Sequence, residues 1–219
     1  MNPGRDVVVF DFDGTLVSRD SVLDFCFRYG AQRPHRLLLV ALALPLAALF
    51  RIRSVSAAAS VLLWALTVGA PARGFVLALR RYAERVLSGF AYDEIFKELS
   101  RELSLGRHVV LATGALPTLV HGVLRARRLP PLPTVGSRLR HRYGGFVVAT
   151  HCVGRNKALE LARRLHIHAW EAVYTDSWAD RALMRGARRI GLVSPSPELL
   201  RRVQALSGGR TLRVLYPAR

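Results

Sequence analysis

The segment Asp11-Phe12-Asp13-Gly14-Thr15-Leu16 sets two carboxyl groups two residues apart, directly after the apolar run Val7-Val8-Val9-Phe10. Phosphoryl transfer through a covalent enzyme intermediate needs an ionised carboxylate in line with phosphorus. It also needs a second carboxyl to protonate the leaving oxygen and later take a proton from water. An Asp-x-Asp at a strand end supplies both, the first on the strand axis and the second just past it. Gly14 then turns the chain so that backbone amides can face phosphate oxygens. The bland alternative is an acidic turn after an edge strand, and the complete hexapeptide argues against it.

Three other places carry compatible chemistry. Thr113-Gly114 closes the run His108–Ala112, where a hydroxyl and a free amide can hold a phosphoryl oxygen. Alone, it is also an ordinary strand-to-turn pair. Lys157 opens a helical pattern after Gly154-Arg155-Asn156, and only Lys97 shares its residue type in an arginine-rich chain. A compact ammonium at a helix N-terminus can neutralise an aspartate crowded by a phosphoryl group; a solvated helix-start cation is the alternative. Asp176-Ser177-Trp178-Ala179-Asp180 follows a third apolar run. Magnesium takes one or two carboxylates within an octahedral oxygen shell. Asp11 and Asp176 offer those carboxylates, the Asp13 backbone carbonyl a further ligand, and Asp180 a group to orient them. An Asp176 that merely caps a helix is the competing reading.

The elements that must position these groups follow from periodicity. Strands are expected at Val7–Phe12, His108–Thr113, Trp170–Thr175, Arg189–Val193 and Thr211–Tyr216, with helices at Leu116–Arg128, Asn156–Leu165 and Pro197–Leu206. Alternating strands and helices predict an α/β fold, a Rossmann-like parallel sheet with flanking helices. Such sheets bind ligands beyond the carboxyl ends of their strands, where Asp11, Thr113 and Asp176 all fall. Two β-like runs around Tyr143-Gly144-Gly145 predict a hairpin flap within residues 137–151. Residues 18–91 carry no strand signal and are expected to form an inserted all-helical cap, leaving 1–17 plus 92–219 as the catalytic core.

Within the cap, Leu37–Phe50 and Ser54–Ala72 are uncharged and fenced by Arg36, Arg51, Arg53 and Arg73. The first run is short for a span and is expected to be interrupted by Pro45. Two buried helices, a hairpin dipping into one leaflet with its arginines on headgroups, or a two-pass membrane segment are the readings left open. The chain has 219 residues, a formal charge of +18 and 51% hydrophobic residues, which excludes disorder and suggests anionic partners. The charge is dispersed from Arg5 to Arg219 rather than blocked, so no nucleic-acid partner is expected. Cys26 and Cys152 lack framework or metal spacing and read as reduced, packing thiols of a cytoplasmic protein. The opening Met1–Asp6 lacks a leader pattern.

The order and strand-end placement of the four motifs resemble the haloacid dehalogenase superfamily of phosphatases, in the branch with a helical cap between the first two motifs. The resemblance spans essentially the whole chain. It implies an aspartyl-phosphate at Asp11, acid/base work by Asp13, phosphate contacts from Thr113, Gly114 and Lys157, and Mg2+ at Asp11, Asp13 and Asp176. Within that branch, Leu62-Leu63-Trp64, Ala112-Thr113-Gly114-Ala115, Arg142-Tyr143-Gly144-Gly145-Phe146 and Cys152-Val153-Gly154 are similar to bacterial phosphatidylglycerophosphatases of the C type. That likeness implies an anionic lipid substrate, peripheral association with the cytoplasmic face of the inner membrane and no obligate protein partner. Phosphoserine phosphatases, in the same branch, carry an acid that meets the substrate amine at a position similar to Asp20, which otherwise caps a helix. Thr175 departs from the glycine found in many relatives, and the bulky Trp178 is a candidate to line a lipid entrance.

Overall fold

The computed structural model describes residues 6–218; Met1–Arg5, where most of the leader reading falls, and Arg219 lie outside the described residues. Along the chain, β1 (Val7–Phe10) leads into α1 (Ser21–Ala31), α2 (Pro34–Arg51), α3 (Val55–Thr67) and α4 (Ala72–Arg85). Helix α5 (Asp93–Ser104) returns the chain to β2 (His108–Ala112), followed by α6 (Pro117–Ala126) and β3 (Thr134–Val135). A hairpin of β4 (Arg138–Arg142) and β5 (Gly145–Thr150) precedes α7 (Arg155–Leu165) and β6 (Ala172–Thr175). Then come α8 (Arg181–Gly186), β7 (Arg189–Val193), α9 (Pro197–Ser207) and β8 (Thr211–Leu215).

Six strands form one parallel sheet in the order β3-β2-β1-β6-β7-β8. Residues of β1 alternate between two cores, as a strand buried on both faces must. Val8 and Phe10 join Leu111, Leu119 and Ile95 on one side; Val7 and Val9 join Leu161, Leu183 and Ile190 on the other. The register aligns Phe10 with Leu111 of β2 and Tyr174 of β6. The carboxyl ends of these three strands therefore sit in one row at the middle of the sheet.

Several boundaries differ from the sequence reading. The strands end at Phe10 and Ala112, each followed by one more amide on the sheet, Asp11 to the Tyr174 carbonyl and Thr113 to that of Val135. After Asp11 the chain turns, the Gly14 amide bonding the Val17 carbonyl at 2.7 Å and Leu16 bonding back to Phe12 at 2.8 Å. Trp170 precedes β6, its indole N–H donating to the Leu183 carbonyl at 2.7 Å. Pro45 does not interrupt α2, which runs through it. Proline removes one helical hydrogen bond, and the surrounding leucines and alanines, strong helix formers, carry the helix across. Helices α5 and α8 and the two-residue β3 are additions.

Helix α3 is fastened to the hairpin. Ser60 Oγ accepts the Val148 amide at 3.1 Å and Thr67 Oγ1 the Phe146 amide at 2.8 Å. The Trp64 indole donates to the Tyr143 carbonyl at 2.9 Å. Phe146 also stacks on Phe75 of α4, with ring centroids 4.5 Å apart.

Candidate active site

Asp11 is held from three sides. Its amide continues the sheet by donating to the Tyr174 carbonyl at 2.9 Å, and its Oδ1 accepts the Phe12 amide at 2.7 Å. Its Oδ2 lies 2.8 Å from the Lys157 ammonium. Lys157 sits in the first turn of α7, entered through Gly154 at φ +59. It is almost wholly buried, and its Nζ also meets Asp180 Oδ2 at 2.8 Å. Thr175 donates its hydroxyl to that same Asp180 oxygen at 2.8 Å and accepts the Ser177 amide at 3.2 Å. Asp180 is thus buried between two donors, while its other oxygen, Oδ1, has no partner.

Asp176 accepts the Thr15 hydroxyl at 3.2 Å. A Cβ at Gly14 would fall 2.0 Å from Asp176 Oδ2, and Gly14 also has φ +73. Only glycine fits between the first and fourth motifs. Asp13 takes the Ser21 amide on Oδ1 at 3.1 Å, so the start of α1 grips it.

The charge balance is uneven. Burial pushes the Asp11 carboxyl well above the usual carboxylate range; Lys157 pulls it down, while Asp180 and Asp176 add to the rise. Burial likewise raises Asp176, and it lifts Asp13 to about 7, where a carboxyl can give and take a proton near neutral pH. For Lys157 burial alone would lower the value, but Asp11 and Asp180 outweigh it and the ammonium is held above its ordinary range. Asp11 and Asp180 share one ammonium and Asp176 adds its charge beside them, a surplus of negative charge that a divalent cation would balance. Among the described residues no three His, Cys, Asp or Glu side chains converge on one point. A hard cation here would rest on two carboxylates completed by main-chain and water oxygens, which is the shell magnesium accepts. The donor set fits.

The remaining candidates lie around this centre. Thr113 is fully buried just beyond β2, its hydroxyl accepting the Ala115 amide at 2.9 Å. A Cβ at Gly114 would come 3.2 Å from Val153 Cγ2. Asp20 is exposed and caps α1 by accepting the Leu23 amide at 2.9 Å. Trp178 packs partly into the core on the α7 side, with the Arg202 guanidinium 5.9 Å from its ring. Sequence reasoning passed over Ser21 altogether, since its contact runs through a backbone amide. It saw Thr175 only as a missing glycine.

Residues 8–185 match the family model of haloacid dehalogenase-like hydrolases. Among solved structures, the chain is similar to a protein of unknown function from Bordetella pertussis Tohama I, at TM-score 0.70 and 19% identity, over 97% of this chain and 99% of the other. A phosphoserine phosphohydrolase-like protein from Francisella tularensis gives 0.60 at 15% identity, over 96% and 94%. Phosphoserine phosphatase from T. onnurineus gives 0.56 at 15% identity, over 99% and 93%. These likenesses are of fold.

Proposed function

The chain belongs to the haloacid dehalogenase-like hydrolase family, and from that premise we propose that it hydrolyses phosphate monoesters through an aspartyl-phosphate at Asp11. The observation that carries this reading is the buried Asp11–Lys157–Asp180 chain at 2.8 Å per link. An Asp11 oxygen attacks phosphorus, the ester bond breaks, and Asp13 protonates the departing oxygen. Asp13 then takes a proton from water as that water attacks the same phosphorus, releasing inorganic phosphate and freeing Asp11. Lys157 balances the negative charge that gathers between Asp11 and the phosphoryl group. Thr113 and Gly114 present a hydroxyl and an amide to phosphoryl oxygens. Magnesium, held by Asp11, Asp176 and the Asp13 carbonyl, would supply further charge neutralisation.

For the substrate, the reading is an anionic lipid phosphate, phosphatidylglycerol phosphate giving phosphatidylglycerol, met at the cytoplasmic face of the inner membrane. Its support is the cap: from Phe25 to Ala83 the sequence has eight arginines and no acidic residue. A second reading, a soluble phosphatase of the phosphoserine type, is favoured by the exposed Asp20 carboxylate close enough to act on Asp13. Phosphate release from a panel of soluble and micellar esters separates the two. Release from phosphatidylglycerol phosphate should far exceed release from phosphoserine; a reversed order, lost selectively in Asp20→Ala, would establish the second reading instead. Asp11→Asn should abolish turnover on every ester while remaining folded. Near-full magnesium-dependent activity in that variant would refute the nucleophile.

A further inference from the structure

Helix α2 is apolar on both its inner and its outer side. At 3.6 residues per turn, Arg36, Val40, Ala43 and Ala47 share one side, and this is the side turned to the protein, where Ala47 is the buried residue. The opposite side carries Leu38, Leu42, Pro45 and Leu49, with Ile52 just beyond. Leu38, Leu42, Leu49 and Ile52 are 63%, 70%, 64% and 83% exposed. A helix on a water-facing surface is apolar inward and polar outward, and α2 departs from that pattern on its outer face. A contiguous apolar stripe of this kind marks a docking surface.

Charge selects the occupant. Arg33 stands at one end of α2, and the exposed Arg51 and Arg53 at the other, whereas Arg36 is turned inward onto the Leu66 carbonyl. The cap from Phe25 to Ala83 holds no carboxylate to answer them. A second copy of the chain would bring arginine against arginine with nothing to pair. An anionic lipid leaflet offers hydrocarbon to the leucines and phosphates to the guanidiniums.

The packing selects the orientation. At 18 residues α2 is about 27 Å long, comparable with a bilayer core of roughly 30 Å. However, α3 lies along its inner side and is bonded to the hairpin through Ser60, Trp64 and Thr67. A crossing helix would drag β4 with it, including the exposed Arg138, Arg140 and Arg142 and an unpaired strand edge. Hydrocarbon does not accept either. We infer that α2 lies in the plane of an anionic leaflet, its Leu38–Leu42–Leu49 face immersed, without crossing it. This deepens the lipid-phosphate reading and rests on it for the link between docking and substrate.

Vesicle sedimentation tests the surface. The protein should pellet with phosphatidylcholine vesicles containing phosphatidylglycerol and stay in solution with phosphatidylcholine alone. A Leu38→Glu/Leu42→Glu/Leu49→Glu variant should lose more than about tenfold in partitioning while hydrolysing p-nitrophenyl phosphate in free solution like the parent. Parent protein that ignores anionic vesicles, or a variant that pellets equally, would overturn the inference; so would a stable dimer that the variant abolishes. Nitroxides placed in turn at Leu38, Leu42 and Leu49, in a chain with Cys26 and Cys152 replaced by Ala, should report one shared depth. Depths running through the bilayer would mean that the helix crosses. If vesicles bind but no ester is hydrolysed, the docking stands and the phosphatase reading fails.

Discussion

Asp180 Oδ2 is the acceptor for two donors, the Lys157 ammonium and the Thr175 hydroxyl, each at 2.8 Å. One oxygen fixed from both sides leaves the ammonium little freedom except along its bond to Asp11. Thr175→Val keeps the shape and removes the donor, leaving a buried carboxylate short of a partner at a cost of about 1–3 kcal/mol. The expected outcome is a lower melting temperature together with a fall of about tenfold or more in kcat, both restored in Thr175→Ser. A Val variant with unchanged kcat would show that the hydroxyl plays no part in setting Lys157. The aspartates and Lys157 were legible in the sequence because their types and their places after apolar runs are tied to chemistry. The Thr175 link was not, because it depends on how tightly residues 175–180 turn. Likewise, the pairing of Lys157 with Asp180 spans 23 residues and exists only once α7 packs against α8 and the turn that precedes it.

At the level of elements, the strands that carry the site were readable because β1, β2 and β6 are buried runs of apolar residues ending at turn chemistry. Thr134–Val135 is too short to leave a period, and α5 begins just where the cap reading stopped. Pro45 misled because proline is a local signal, whereas the helix is sustained by the residues on either side. The hairpin could be read, but its anchorage to α3 could not, since it uses two hydroxyls on a helix as acceptors for strand amides. Thr67→Val tests that anchorage. It should speed hydrogen exchange at the Phe146 amide and lower stability by about 1–2 kcal/mol, leaving β1, β2 and β6 protected. Unchanged exchange at Phe146 would mean that the hairpin is held by Phe146–Phe75 stacking instead.

For the whole molecule the dominant number is the formal charge of +18. Its acids are largely engaged: the buried Glu98 and Glu102 of α5 pair with Arg213 and Arg189 respectively and both meet the Tyr174 hydroxyl. The surplus arginines therefore repel one another across the surface, which costs stability that salt can return. The melting temperature should rise as salt is added from low to physiological ionic strength, whereas binding to anionic vesicles should weaken over the same range. A melting temperature that falls with salt would show that the ion pairs outweigh the repulsion.

The two-stranded hairpin has two edges. On the β5 side the Phe146 and Val148 amides are taken by Thr67 and Ser60. The β4 side stays open and presents arginines at 138, 140 and 142. An open strand is a template on which another chain can add. Three like charges along it make the addition of a second copy of the same strand self-defeating, so the protein carries its own guard against aggregation. That guard is electrostatic, and concentrated salt would weaken it.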